Sequence, residues 1–397
     1  MHTYRRRLIR GCSIMAALGV LAGLTVIVHA RSQDQDQGQG QGNAQNNAQN
    51  FVDAGNALYS VRDLVSDGAG AKADRSDSDL VNAWGIVVNP TAFVWVADNG
   101  AGVATLYDGA GVKQSLVVMV PPSDTGSPPS VPTGLVYSGG SDFLVKSGVL
   151  SGPSRFIFAA EDGSISGWAP NVDGTHAILA VPHSTDGAVY KGLALGGNGT
   201  GHLLYAADFH NNRIDVFDAA FQPTTVPGGF RDPQLPPGFA PFNIQNILGN
   251  LYVMYAKQDK EKTDEEKGVG LGFVDVFDAN GQLIRRFASR GRLNAPWGIA
   301  LAPADFGRFS NMLLIGNFGD GRINAFDLNS GQFRGQMRTS DHRVLSIDGL
   351  WGLAFGNGVA SQPTSTLFFT AGPGDESQGL YGKIEAANDN GRGPGRP

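Results

Sequence analysis

Six times along the chain, at intervals of roughly fifty residues, a short apolar strand opening on Gly is followed by a second strand ending in a small residue and then a polar one. The clearest copies are Trp84-Gly85-Ile86 leading to Val96-Ala97-Asp98, and Trp297-Gly298-Ile299 leading to Ile315-Gly316-Asn317. In the intervening copies Thr133, Lys191 and Gln245 align with Trp84, and Trp351 opens the last. The residue that follows is Gly85, Gly134, Gly192, Asn246, Gly298 or Gly352. Downstream, Asp98, Glu161, Asp208, Lys257, Asn317 and Gly372 align after the second strand. A third strand recurs as Arg213-Ile214-Asp215-Val216-Phe217-Asp218, Phe273-Val274-Asp275-Val276-Phe277-Asp278 and Arg322-Ile323-Asn324-Ala325-Phe326-Asp327. Its apolar and polar residues alternate with the period of a half-buried strand.

A fourth strand follows a turn such as Asp278-Ala279-Asn280-Gly281, where Asn and Gly tolerate positive φ. Four-stranded units repeated radially are propeller blades. The expected fold is therefore an all-β, six-bladed β-propeller over residues 57–385, with Gly at the crowded axis because it lacks a Cβ. The sixth unit runs out after three strands, and the segment 57–66 ahead of the first repeat is expected to supply the fourth and close the ring, leaving no bare edge. With 56 Gly, 21 Pro and 41% hydrophobic residues, the chain has the turns and the core that such a fold needs.

Residues 1–30 carry Arg5-Arg6-Arg7 and Arg10, an apolar stretch and then Val28-His29-Ala30, the layout of a secretory signal peptide; an uncleaved anchor helix is the alternative. The expectation is a secreted or periplasmic protein. Residues 31–56, rich in Gln, Asn and Gly, read as a disordered linker, and residues 386–397 as a disordered tail. Loss of the leader would remove the sole cysteine, Cys12, and four arginines, taking the formal charge from −6 to −10. A chain that acidic is a poor partner for nucleic acid or an anionic membrane surface.

Loops entering the first strand and leaving the second open at the same end of a propeller. Trp84, Lys191, Gln245, Trp297 and Trp351 are thus expected to face Asp98, Glu161, Asp208, Lys257 and Asn317 around one mouth of the channel, with His210 nearby at the rim. In one reading the carboxylates and Asn317 hold Ca²⁺ through oxygen ligands while the indoles stack on a sugar. In the other, the Trp residues wedge adjacent blades and the acids bond backbone amides or the two lysines. His210 is a candidate general base or a solvated turn residue. The charged stretch from Lys257 to Gly272 in the fourth repeat is either a lid over this mouth or a solvated loop.

The strings Asn82-Ala83-Trp84-Gly85-Ile86, Val96-Ala97-Asp98-Asn99-Gly100, Ala206-Ala207-Asp208-Phe209-His210, Pro241-Phe242-Asn243-Ile244-Gln245-Asn246-Ile247, Gly316-Asn317-Phe318-Gly319-Asp320-Gly321-Arg322 and Gly349-Leu350-Trp351-Gly352-Leu353 resemble a family of exported bacterial proteins associated with the PEP-CTERM sorting system, whose propellers are similar to NHL-repeat propellers. That family has no assigned activity to carry over. The chain departs from its sorted members in ending on Gly391-Arg392-Gly393-Pro394-Gly395-Arg396-Pro397, which implies release and not anchoring at the C-terminus; a monomer with no membrane span in the mature chain is expected. Two functions follow. The first is a non-catalytic module binding a protein or glycan. The alternative resembles the Ca²⁺-dependent lactonases, in which a central cation polarises a carbonyl.

Overall fold

The computed structural model describes residues 58–387. The leader, the linker and all but the first two residues of the tail lie outside the described residues. Six antiparallel sheets follow one another along the chain. Blade 1 is Ala83–Val88, Val94–Asp98, Val103–Tyr107 and Val118–Met119. Blade 2 is Pro132–Tyr137, Phe156–Ala160, Ile165–Trp168 and Ile178–Val181, with an inserted hairpin of Leu144–Ser147 and Leu150–Pro153. Blade 3 is Tyr190–Gly197, His202–Asp208, Arg213–Phe217 and Pro223–Thr224. Blade 4 is Phe239–Ile247, Asn250–Gln258, Gly272–Phe277 and Leu283–Ser289. Blade 5 is Pro296–Leu301, Met312–Asn317, Ile323–Asp327 and Phe333–Gln336.

Blade 6 contributes Leu350–Phe355, Leu367–Ala371 and Leu380–Ala386, and takes its outer strand, Leu58–Ser66, from the other end of the chain. That strand pairs antiparallel from Tyr59 opposite Ala386 to Ser66 opposite Leu380, so the edge that the sixth repeat leaves open is covered. Each innermost strand lies against that of the next blade, and the last, Leu350–Phe355, lies against the first, Ala83–Val88, so the ring is closed. Between blades the sheet faces pack as apolar layers, as where Leu193, Leu204 and Phe217 of blade 3 meet Ile157, Ala159 and Ile165 of blade 2.

The axis is as crowded as the glycine positions imply. A Cβ on Gly85 would sit 2.3 Å from the Thr133 carbonyl oxygen of the neighbouring blade, and one on Gly134 would sit 2.5 Å from the Leu193 nitrogen. Any side chain there would force the inner strands apart. The described residues contain one 3₁₀ turn, Gly307–Phe309, and no α-helix; no helix among them is long and apolar enough to cross a membrane.

Candidate functional site

Every first strand of the ring breaks register with its second strand at one place. Ala83 pairs with Asp98 but Ile86 with Val96, and Pro296 pairs with Asn317 but Gly298 with Gly316. The same irregularity occurs at Pro132 to Leu135, Tyr190 to Gly192, Pro241 to Asn243 and Leu350 to Leu353. A bulge re-aims the side chain it carries. Here the bulged residues are Trp84, Thr133, Lys191, Phe242, Trp297 and Trp351, and most of them meet at the axis.

Phe242 therefore takes the place expected for Gln245. Gln245 lies three residues further down its strand, exposed and paired with Tyr252, where it lines the channel beneath the bulges. The slip has a physical source: blade 4 spells the bulge Pro241-Phe242-Asn243, where blades 2 and 5 spell Pro132-Thr133-Gly134 and Pro296-Trp297-Gly298. Asn243 occupies the glycine position and uses its side chain there, Nδ2 donating to the Trp297 carbonyl at 2.8 Å.

The indoles fill the mouth. Trp84 stacks on Trp351 with ring centroids 3.6 Å apart, Phe318 stacks on the same Trp351 at 3.8 Å, and Trp297 meets both indoles edge-on at 6.5 and 5.8 Å. With Phe209, Phe242 and Ala256 they form one buried cluster. Trp351 Nε1 donates to Asn82 Oδ1 at 3.0 Å and Trp297 Nε1 to the Lys191 carbonyl at 2.9 Å, whereas Trp84 Nε1 finds no partner among the described residues. Buried on both faces, these rings hold one another and present no surface on which a sugar can stack. Beneath them the channel narrows to about 20 Å³ of free space among Gly85, Gly134, Leu193 and Leu353.

On the side of blades 2 and 3 the mouth is ionic. Lys191, 1% exposed, places Nζ 2.5 Å from Glu161 Oε1, 3.1 Å from Asp264 Oδ1 and 5.1 Å from the Trp84 ring. Asn99 Nδ2 donates to Glu161 Oε2 at 3.1 Å; Asn82 Nδ2 donates to Asn99 Oδ1 at 3.2 Å and to Glu376 Oε2 at 2.9 Å. Burial by itself would depress the Lys191 ammonium, but Glu161, Asp264 and Glu265 outweigh it and hold the group above the ordinary lysine range. Burial pushes the Glu265 carboxyl up to about 8 against the pull of Lys191, and the Glu376 carboxyl up to about 7.

Residues 259–271 of blade 4 roof this network. Glu265–Glu266 turns back to pair with Lys257 and Gln258, which aims Asp264 at Lys191 of blade 3. Lys267 Nζ sits 4.4 Å over the Phe318 ring of blade 5 and 3.7 Å from Asp375 of blade 6, and the Gly268 amide donates to Asn294 Oδ1 at 2.6 Å. The insertion thus reaches from its own blade to three others across the mouth, as a lid does.

The remaining candidates sit at the same end but turn away from the axis. Asp98 is buried inside blade 1, where Oδ2 accepts from Thr105 at 2.8 Å and Oδ1 has no partner; desolvation holds its carboxyl well above the usual range. Asp208 caps a turn, accepting the amides of Val189 at 3.3 Å and Asn211 at 3.1 Å. Asn317 accepts the Asn294 amide at 3.2 Å and donates to the Arg292 carbonyl at 2.8 Å. Lys257 is half-buried on the strand that carries the lid, and His210 is half-buried with Nδ1 unpartnered, its carbonyl taking a bond from Gln258 at 3.3 Å. The axial positions lie one residue later than Asp98, Asp208 and Asn317. They are Asn99, Phe209 and Phe318, whose amides bond the carbonyls of Asn82, Val189 and Ala295 ahead of each first strand. Glu161 belongs to this axial set, because it is Ala160 that pairs with Pro132 as Asp98 pairs with Ala83, and the Glu161 amide bonds the Val131 carbonyl. Among the described residues no three His, Cys, Asp or Glu side chains are grouped to hold a metal ion.

No protein-family model matches the chain. It is 35% identical over 338 residues to uncharacterized protein L690 of Acanthamoeba polyphaga mimivirus, covering 83% of this chain and 86% of the relative. It is also 35% identical over 320 residues to protein R648 of the same virus, covering 79% and 77%. Among solved structures, a protein of unknown function from Bacteroides thetaiotaomicron superposes with a TM-score of 0.53 at 11% identity, over 83% of this chain and 76% of the other. That likeness concerns the fold.

Proposed function

The chain belongs to the family that includes the mimivirus proteins L690 and R648, and we propose that within it this propeller is a non-catalytic binding module, exported from the cytoplasm, that takes a protein or glycan ligand at its lidded end. The observation that carries the reading is the commitment of the mouth's reactive groups. The buried ammonium of Lys191 is engaged by Glu161 and Asp264, and the indoles by one another. What this end offers a ligand is the outside of the lid and its neighbours, where Asp264 is 69% and Asp375 95% exposed. Export is supported by the leader-like residues 1–30.

A screen of the protein lacking residues 1–30 against a glycan panel and a lactone panel, with Ca²⁺ and with chelator, tests this. Binding without turnover, reduced by deleting residues 260–267, is the expected result. Lactone hydrolysis that needs Ca²⁺, accompanied by a Tm raised by millimolar Ca²⁺ in the absence of ligand, would replace the binding module with a metal-dependent hydrolase.

A further inference from the structure

On the outer rim of blade 6, beside the closing strand and the loop between its first and second strands, a cavity of about 350 Å³ opens. It is lined by Arg62 and Leu64 of that strand, Asp74 and Arg75 of the segment after it, Gly109 and Ala110 of blade 1, and Ser361, Pro363 and Lys383 of blade 6. Three cations against one carboxylate is an unusual lining in a chain whose formal charge is −6.

The cations are held there by backbone pairing. Arg62 and Lys383 are direct neighbours across the closing pair, and Arg75 is fixed by the parallel pairing of Val65 with Arg75. Arg62 gives Nε to Asp74 Oδ2 at 2.7 Å and keeps its two terminal nitrogens; Lys383 touches Glu385 at 3.0 Å with its side chain only 18% exposed. Arg75 makes no side-chain bond to any described residue. The Gly109 amide bonds the Ala360 carbonyl at 2.9 Å, which ties the floor of the cavity to both blades.

We propose that this cavity is a binding site for a hydroxylated oxyanion, a sugar acid or a sugar phosphate. Guanidinium forks match the paired oxygens of a carboxylate or phosphate, with an ammonium adding a point charge. Asp74 Oδ1, not engaged by Arg62, accepts from a ligand hydroxyl, and Pro363 supplies an apolar wall. The volume suits a single small molecule and falls at the low end of ligand pockets. Because its walls belong to the closing strand and to the two blades that the strand joins, a ligand bound here also fastens the ring.

Calorimetric titration of the full chain with glucuronate, glucose 6-phosphate, inorganic phosphate and glucose decides the matter. Glucuronate, glucose 6-phosphate or both bind, glucose does not, and inorganic phosphate binds at least about tenfold more weakly than the better sugar ligand. Arg75→Gln and Lys383→Gln each weaken binding by about tenfold. Arg75 is exposed and has no side-chain partner among the described residues to lose, so its variant tests the site even where Lys383→Gln disturbs the closing pair. No heat from either sugar anion at about 10 mM, or wild-type affinity in Arg75→Gln, overturns the assignment. Inorganic phosphate binding as tightly as the sugar ligands overturns the role of Asp74.

Discussion

Two halves of the same mouth are closed by different physics. The backbone treats the six blades alike, placing a bulged residue from each near the axis, but blades 1, 4, 5 and 6 fill their share with Trp84, Phe242, Trp297 and Trp351, while blades 2 and 3 carry Thr133 and Lys191. Thr133 spends its hydroxyl on the Tyr190 carbonyl at 2.6 Å. The aromatic half is held by area and shape, which salt and pH barely touch. The ionic half is held by charge on carboxylates that are half-exposed, and each of those contacts answers to both. The lid grows from an aromatic blade, yet its contact to a buried charge, Asp264 to Lys191, is with the ionic half. Its dependence on conditions is therefore that of the charges.

The sharpest break in this comparison is Trp351→Ala. It removes the ring on which Trp84 and Phe318 both stack and leaves a void the strands cannot close, because the glycine contacts already set their spacing. A loss of about 3–5 kcal/mol in urea unfolding is expected, unchanged between low and high salt. Lys191→Met comes next. It leaves Glu161 facing an apolar chain end, and because Glu161 is 24% and Asp264 69% exposed, the cost is discounted from that of a fully buried pair to about 2 kcal/mol. In Lys191→Met combined with Glu161→Gln the total falls short of the sum of the two single losses. Strict additivity in that cycle would mean that the 2.5 Å contact contributes nothing.

The repeat made most of the fold legible. A period near fifty residues, the axial glycines and the missing last strand were enough for six blades and for closure by a segment expected at 57–66 and observed at Leu58–Ser66. The site was harder for a reason of parity. At the end of a strand two consecutive residues point to opposite sides, and alignment chose Asp98, Asp208 and Asn317 where the axis is faced by Asn99, Phe209 and Phe318. In blade 4 the Pro ahead of each bulge, shared by Pro132, Pro241 and Pro296, was the available signal for Phe242, and the absence of its glycine hid it. Asp264 and Glu265 lie in the insertion read from sequence as lid or loop, but which of its five acids meets Lys191 depends on the short pairing of Glu265–Glu266. Glu376 reaches Asn82 across 294 residues, a contact that no local pattern announces.

Acidity separates the two halves by the smallest expected effect. With Glu265 raised to about 8 and Glu376 to about 7, both above the 4.5 of an unfolded chain, the folded protein holds protons that the unfolded one has released between those values. Their contribution to stability is thus fully present below about pH 4.5 and is lost as pH rises through 7 and 8. Above that range Glu265 of the lid and Glu376 of blade 6 are both charged beside the buried Lys191 ammonium, and repulsion between them favours lifting of the lid. Amide exchange in residues 259–271, corrected for its intrinsic base catalysis, is expected to lose protection between pH 6 and 9, while the amides beside Trp84 and Trp351 keep theirs. Glu265→Gln should flatten the change in the lid. Equal loss of protection in lid and plug over that range would instead mean that the mouth opens as one unit, and that the aromatic half is as sensitive to charge as the ionic one.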